Sequence, residues 1–382
     1  MERFTFVCPC HFGLESVLKR EIYELGYETT LVQDGRVCFE GDAEAICRAN
    51  IGLRTAERVL LQVGSFHAAT FDELFEGVKA LPLEHFLPKD ASFPITKASS
   101  VKSALFSPSD IQSIVKRAAV ERLKSVYHLT WFPESGAHFP IRVFLHKDIA
   151  EITIDTTGDS LHKRGYRKLA SLAPISENLA AGILLLSRWK GKEPLVDPFC
   201  GSGTIPIEAA MIAQNIAPGK ARSFTAQAWE TLIPKKLWAD AKEEAIEQED
   251  ASLSLDIQGF DNDANILGIA RNNAKLAGVE GSIHFQRRDI SELSHKGQAG
   301  CIVTNPPYGE RLPQEDIFEI YRTLGERFKT LEGWSMHVIS AFKQAESAIG
   351  MKATKNRKLY NGMIKTYLYQ YMRPKKSSTR NI

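Results

Sequence analysis

The sequence predicts an α/β protein, with a mostly parallel sheet in its second part behind a mixed α+β first part. Three observations predict it. From about Ser171 onward, apolar strand-like runs alternate with helices of about ten to fifteen residues, the mark of βαβ units. Before that point, strand–helix–strand units run once and restart near residue 65. The 382 residues, at roughly 150 per domain, leave room for two or three domains.

The elements follow in order. Residues 4–7 read as a strand, and 13–25 as a helix with Leu14, Val17, Leu18, Ile22 and Leu25 at helical spacing, stopped by Gly26. A strand at 37–39, a helix at 43–50 and a strand at 57–63 complete the first unit. The second begins at His67, with a helix at 71–81 and a strand at 93–96. Ser107-Pro108-Ser109 then introduces a long amphipathic helix over 110–127, and alternating strands follow at 141–145 and 151–155. In the second part the strands are 194–199, 255–260, 283–287, 300–304 and 335–340, with helices at 204–214, 264–277 and 316–330. Residues 365–372 alternate and fit a final antiparallel strand. Residues 216–250, rich in Trp and charge, interrupt the rhythm as an insertion.

With 43% hydrophobic and 25% charged residues, the composition is that of a soluble globular protein. No secretory signal or membrane span is expected, since the richest apolar run ends at Arg188 after about ten residues, short of the ~18 a span needs. Six cysteines exclude a disulfide scaffold. Cys8-Pro9-Cys10-His11 resembles half a metal site, but no second Cys/His cluster answers it, so reduced thiols, no metal and a cytoplasmic location are expected. Forty-eight basic and 46 acidic side chains leave a net charge of +2, unevenly spread. After Glu346 there is no acid, while Arg357, Lys358, Lys365 and Arg373 are among the cations there. A second acid-free stretch, 161–176, holds Lys163, Arg164, Arg167 and Lys168. Separated signs of this kind point to a polyanionic partner or to a solvated face, and charge alone leaves both open.

The chemistry concentrates at four strand ends. Leu195-Val196-Asp197 is an apolar strand closing on an acid, and Pro198-Phe199-Cys200-Gly201-Ser202-Gly203-Thr204 turns through two glycines into a helix. Glycines there let backbone approach a ligand, and the helix start offers free N–H groups. The loop is neither a Walker phosphate loop nor Gly-x-Gly-x-x-Gly. One unit later, Asp261-Asn262-Asp263 places an acid where nucleotide-binding folds engage ribose hydroxyls, and Asp263 is a good helix cap. Arg288-Asp289 closes the third strand similarly. After the fourth comes Asn305-Pro306-Pro307-Tyr308: two prolines make a stiff corner with outward carbonyls, beside an amide acceptor and an aromatic face. Such a corner suits a planar group bearing an NH₂.

These motifs, in this order, resemble the class I S-adenosylmethionine-dependent methyltransferases of the amino-group type. The similarity is closer still to the THUMP-domain RNA guanine-N2 methyltransferases of UPF0020 type, notably those acting on bacterial large-subunit ribosomal RNA. Three further runs carry it: His162-Lys163-Arg164-Gly165-Tyr166-Arg167, Ala173-Pro174-Ile175-Ser176-Glu177-Asn178-Leu179-Ala180 and Ile216-Ala217-Pro218-Gly219. The resemblance implies a Rossmann-like methyltransferase with a seven-stranded, mostly parallel sheet over 161–382. Ahead of it come a ferredoxin-like subdomain over 1–64 and a THUMP RNA-binding domain over 65–160. Some bacterial relatives carry a second methyltransferase; this sequence holds one such module.

The resemblance also implies roles. Asp197 to Thr204 would hold the methionine and ribose of S-adenosylmethionine, with S-adenosylhomocysteine as product and no metal. Asp261 with Asn262 would take the ribose hydroxyls, Asp289 with Ile290 the adenine, and Glu177 would border the cofactor. Asn305 and the Pro306 carbonyl would accept from the target NH₂ at the corner that Pro307 stiffens, and Tyr308 would stack on the extruded base. RNA would be the partner, ribosomal ahead of transfer RNA, met by Lys163, Arg164, Arg167, Lys168, Arg311, Arg357 and Lys358. No feature of the sequence sets an oligomeric state. The corner motif also permits adenine-N6 methylation, and a non-enzymatic RNA-binding assembly factor is the reading from another class; intact Gly201, Gly203, Asn305 and Tyr308 argue against the latter.

Overall fold

The computed structural model describes residues 3–167, 175–308 and 313–372. Its residues group into two compact units, one of Met1–Cys10, Lys19–Leu161 and Arg222–Ala245, the other of His11–Leu18, His162–Ala221 and Ile246–Ile382. The elements of the first part are β1 (Phe4–Pro9), α1 (Glu15–Glu24), β2 (Thr29–Gln33), β3 (Arg36–Gly41), α2 (Ala43–Gly52) and β4 (Leu60–His67). They continue with α3 (Phe71–Ala80), β5 (Ile95–Val101), α4 (Pro108–Tyr127), β6 (Ile141–His146) and β7 (Ile149–Asp155). All seven strands form one sheet in the order β2-β3-β1-β4-β7-β6-β5, antiparallel except for the β5–β6 pair. The restart seen near residue 65 falls inside β4, which pairs with β1 on one side and β7 on the other. The sheet thus runs unbroken through the ferredoxin-like and THUMP segments. Strand β2 was not expected from the sequence: it is an edge strand with no fully buried residue, so no alternation marks it.

Residues 222–245 of the insertion group with this first unit. Trp229 is buried with its ring stacked on Phe139, centroids 4.5 Å apart and planes 12° off parallel, and its indole N–H donates to the His138 carbonyl at 2.8 Å. Arg222 donates to the carbonyls of Asp159 and Ser160. Trp229 and Arg222 of the segment are therefore packing and hydrogen-bonding groups of the first unit.

The second unit contains α5 (Glu177–Ser187), β8 (Leu195–Asp197) and α6 (Thr204–Ala213), then, after α7 (Lys235–Glu247), β9 (Ile257–Asp261), α8 (Ala264–Ala277) and β10 (Ile283–Arg287). β11 (Gly300–Thr304), α9 (Gln314–Lys329), β12 (Trp334–Ser340), α10 (Ala345–Ile349), β13 (Lys355–Asn361) and β14 (Ile364–Tyr371) complete it. Its sheet runs β10-β9-β8-β11-β12-β14-β13; the first five strands are parallel and β14 is antiparallel to both neighbours. This is the seven-stranded, mostly parallel sheet the resemblance implies. Consecutive residues feed opposite faces: Leu195, Cys301 and Val303 join one core cluster, Val196, Ile302 and Val338 the other. Burial on both faces explains why these strands read as continuous apolar runs. β13 escaped the sequence reading for the opposite reason, since only Leu359 in it is buried. Among the described residues, no helix is long and apolar enough to cross a membrane.

Several expected surface groups are instead structural. Arg164 is buried, its guanidinium 3.4 Å from both carboxylate oxygens of Glu208 on α6, and Tyr166 donates to the same carboxylate at 3.1 Å. An RNA-facing role for Arg164 is thereby corrected: its charge is spent inside the fold. Arg167 bonds the Glu177 carboxylate and the Ile175 carbonyl. Cys8 and Cys10 are buried thiols, while His11 Nε2 lies 3.1 Å from Asn178 Oδ1.

Removing one partner of a buried ion pair strands the other, at a cost of about 3–5 kcal/mol. Arg164→Met and Glu208→Leu are each expected to lower unfolding stability by that order. The double variant should lose less than the sum of the two. Urea denaturation of all three checks this, and additive losses would show that the two groups do not sense each other.

Candidate active site

The sheet of the second unit reverses its winding between β8 and β11, the position where open α/β sheets bind ligands at strand carboxyl ends. A cavity of about 520 Å³ lies there. That volume is in the range of small-molecule sites. Its wall includes every residue from Asp197 to Ser202, with Thr204, Asp261, Asn262, Asp289, Ile290, and Asn305 to Tyr308. Four separate strand ends thus bring together nearly all the motif residues.

Asp197 ends β8 with its carboxyl buried. Oδ1 accepts from the Thr304 hydroxyl at 2.7 Å and from the Phe199 N–H at 3.1 Å. Thr304 is the last residue of β11, immediately before Asn305, so this one carboxyl ties the glycine loop to the proline corner. Burial raises the Asp197 carboxyl from 3.8 to about 7; the Thr304 and Phe199 bonds oppose the rise, and the nearby Asp261 charge adds to it.

The glycine loop is held from three sides. The Gly201 N–H donates to Asp261 Oδ2 at 3.0 Å, the Cys200 N–H to the Phe260 carbonyl at 2.8 Å, and Asn273 Nδ2 on α8 to the Ser202 carbonyl at 3.0 Å. Gly203 caps α6 at φ +85°, and a Cβ there would crowd Ala270, Phe285 and Ile207 at 3.1–3.3 Å. Gly203 serves the packing under the loop and is not in the cavity wall. Gly201, at φ +52°, has no described atom within 4 Å of where a Cβ would point, so its backbone is open to a ligand. Asp261 Oδ1 also accepts from the Asp263 N–H at 3.0 Å, which fixes the carboxylate while leaving a lone pair on each oxygen. Asp263 caps α8 through the Asn265 N–H, as its sequence context predicted.

At the other strand ends, Asp289 faces the cavity but Oδ1 caps a short 3₁₀ turn through the Ser291 N–H at 2.9 Å, and hydrogen bonding to Ser291 lowers its pKa. Glu177 is not in the wall; it is buried in α5 and bound to Arg167. In the proline corner, Asn305 Oδ1 is buried and has no hydrogen-bond partner among the described residues. The Tyr308 hydroxyl accepts from Asn361 Nδ2 at 3.0 Å. Asn361 and Ile364, from the β13–β14 hairpin, line the cavity beside it, and neither was expected from the sequence. Asn273 was missed likewise, because a polar residue within a helix carries no signal of what it reaches.

Of the expected cationic surface, Lys163 and Lys358 are exposed, Lys358 lying 5.2 Å from the ring centroids of both Phe12 and Tyr360. Arg357 donates to the Gly13 carbonyl at 2.7 Å. Lys168 and Arg311 lie outside the described residues.

The wall fits an adenosyl cofactor, with a bare glycine backbone at Gly201 and a preset Asp261 carboxylate for a diol. Among the described residues, no cluster of three or more His, Cys, Asp or Glu side chains could hold a metal ion.

The RMKL-like methyltransferase domain model of UPF0020 matches residues 164–370, the RlmL ferredoxin-like domain model residues 5–60, and the THUMP domain model residues 68–155. The chain is similar to YpsC of Bacillus subtilis (strain 168), which is named as an RNA methyltransferase, at 46% identity over 100% of both chains. It is 34% identical to the ribosomal RNA large subunit methyltransferase K/L of Syntrophotalea carbinolica, over 94% of this chain and 52% of that protein. The crystal structure of SMU.472, described as a methyltransferase complexed with S-adenosylhomocysteine, matches with a TM-score of 0.93 and 42% identity, covering 98% of this chain and 100% of that one.

The raised carboxyl makes a pH prediction. Between pH 4 and 7 the unfolded chain has released a proton that folded Asp197 retains, so its contribution to stability falls as pH rises through that window and levels off above about 7. Asp197→Asn should remove this decline, a difference on the order of a few kcal/mol at pH 8. Urea midpoints from pH 4 to 8 read it; parallel curves for the two proteins would mean that Asp197 titrates as an ordinary carboxylate.

Proposed function

Since the chain belongs to the UPF0020 family of RMKL-like methyltransferases, with an RlmL-type ferredoxin-like domain and a THUMP domain ahead of the catalytic fold, we propose that it methylates the exocyclic N2 of a guanine in RNA. The observation that carries this reading is Asn305, whose buried Oδ1 has no hydrogen-bond partner among the described residues, in the wall of a cavity shared with the glycine loop. Ribosomal RNA is the favoured substrate and transfer RNA the second. The 34% identity to a ribosomal RNA large subunit methyltransferase supports that order, and the THUMP domain supports RNA over DNA. The proline corner also suits the amino group of adenine, which makes adenine-N6 transfer the alternative outcome of the same assay.

The residues divide the work. Residues 198–202, Thr204 and Asp261, with Asp289 and Ile290, all in the cavity wall, would hold S-adenosylmethionine. The cofactor would supply a methyl group on a positively charged sulfur: as the N–C bond forms the C–S bond breaks, S-adenosylhomocysteine is the leaving group, and the acidic proton of the methylated amine passes to water, so no strong base is needed. Asn305 Oδ1 and the Pro306 carbonyl accept the two amine hydrogens, which turns the nitrogen lone pair out of conjugation and toward the methyl. Orientation of this kind is worth on the order of 7–11 kcal/mol of barrier. Tyr308 offers its face to the base once it has left the stack, at about 1–3 kcal/mol. Asn361 holds that ring in place through its bond to the hydroxyl.

Asn305→Ala should therefore cut the single-turnover rate by about two to three orders of magnitude, with affinity for cofactor and RNA nearly unchanged. Tyr308→Phe keeps the ring but loses the Asn361 bond, so it should match Asn361→Ala and fall between wild type and Tyr308→Ala. Methyl transfer to unmodified ribosomal and transfer RNA at saturating cofactor, with the modified base identified by mass spectrometry, is the measurement. Wild-type rates in Asn305→Ala would remove this corner from the reaction.

RNA affinity should also fall with salt. Lys163→Ala together with Lys358→Ala should lower the slope of log affinity against log salt by about 0.7–0.9 for each phosphate that is no longer neutralised. An unchanged slope would place the RNA on another face.

A further inference from the structure

The β13–β14 hairpin closes in a two-residue turn, because Asn361 pairs with Ile364. Gly362 has φ +60° and Met363 does not have a positive φ, the glycine-first arrangement of a type II′ turn, which matches the twist of its strands. The turn is tight, and it leaves Met363 97% exposed and Ile364 52% exposed. Single exposed apolar residues are ordinary. The place of this one is not. Asn361 and Ile364 both line the cavity, and Asn361 donates to the Tyr308 hydroxyl, so the hairpin tip forms the rim next to the aromatic plate. Lys358 and Lys365 are exposed on the same hairpin, and no acidic residue follows Glu346.

We propose that Met363 is a wedge: on a paired RNA stem its side chain enters the stack at the place the target guanine vacates, with Ile364 as its shoulder and the two lysines on flanking phosphates. This rests on the base-methylation reading above. A base drawn into the cavity leaves a gap whose stacking must be replaced. Methionine is among the apolar side chains that fill such gaps in other nucleic-acid complexes, and its unbranched, flexible chain adapts to an irregular one. A rim position also gives the wedge a direction. The same hairpin that fills the stack carries the amide that holds Tyr308, so extrusion of the base and its capture are executed by one rigid element.

The test compares targets that do and do not need extrusion. The nucleotide methylated by the wild type in unmodified large-subunit ribosomal RNA and transfer RNA transcripts is first located by mass spectrometry. Two oligoribonucleotides then present it, one within a duplex stem and one as a single-nucleotide bulge, already unstacked. In single-turnover transfer at saturating S-adenosylmethionine, Met363→Ala should be slower by about tenfold to a hundredfold on the stem and by less than about threefold on the bulge. Met363→Leu should restore the stem rate, and cofactor affinity should not move. Equal loss on both oligonucleotides, or no loss on the stem, overturns the wedge and leaves methyl transfer standing. No transfer by the wild type to any RNA overturns the base-methylation reading, and the wedge with it.

Discussion

The bond on which the site depends is the one from the Thr304 hydroxyl to the buried Asp197 carboxyl, 2.7 Å long. Adjacent parallel strands are joined by ladder hydrogen bonds, but β8 and β11 pair only through Cys301 with Leu195 and Ile302 with Val196, and the ladder ends before the functional residues begin. Beyond it, side chains must set the spacing. Asp197 does so from one strand and Thr304 from the other. The glycine loop leaves from the first and the proline corner from the second, so the distance between the two halves of the cavity is fixed by a contact that lies under both.

That contact sets a chain of dependences. Asp197 orients the Phe199 N–H, Asp261 orients the Gly201 N–H, and Asn273 anchors the Ser202 carbonyl, so the loop is pinned at alternate peptide units. On the other side, Asn305 follows Thr304 directly, and the prolines transmit its position with little freedom to Tyr308. Tyr308 would otherwise be a mobile plate at the end of a corner. The Asn361 amide holds it from the hairpin, and the cavity is completed by the two strands at the far end of the sheet, β14 and β13. The parallel core supplies position; the antiparallel end supplies the rim.

How much of this was legible in the sequence follows from the same physics. Residues 195–204, 261 and 305–308 were legible because each motif is local: an apolar strand, a turn that only glycine or proline allows, and a polar group at its end. Their convergence was legible because a parallel α/β sheet places all its strand ends on one side. Arg164 was not. As a sequence it is one cation in an acid-free run, and its partner Glu208 lies 44 residues on, inside a helix whose other residues are mostly apolar. Asn361 and the strand that carries it were invisible because an edge strand with one buried residue has no pattern. That the 222–245 segment packs with the first compact unit was not legible, since sequence order says nothing of which core a tryptophan will join.

Asn305 closes the argument. An unpaired buried acceptor costs about 1–3 kcal/mol, and among the described residues with such a buried polar atom Asn305 is the one in the cavity wall. Here the surrounding structure could have supplied a donor, because Thr304 with its hydroxyl is the preceding residue. That hydroxyl is already engaged by Asp197, and the prolines that follow have no N–H to offer. Among the described residues, no donor reaches the acceptor. A ligand bringing an NH₂ group relieves that cost at the moment it arrives, whereas a carbonyl or a hydrocarbon does not. In the amine-methylation reading proposed above, selectivity would lie as much in the residues that decline to pair with Asn305 as in Asn305 itself. The same Thr304–Asp197 bond that holds the two halves of the site together also keeps the acceptor available.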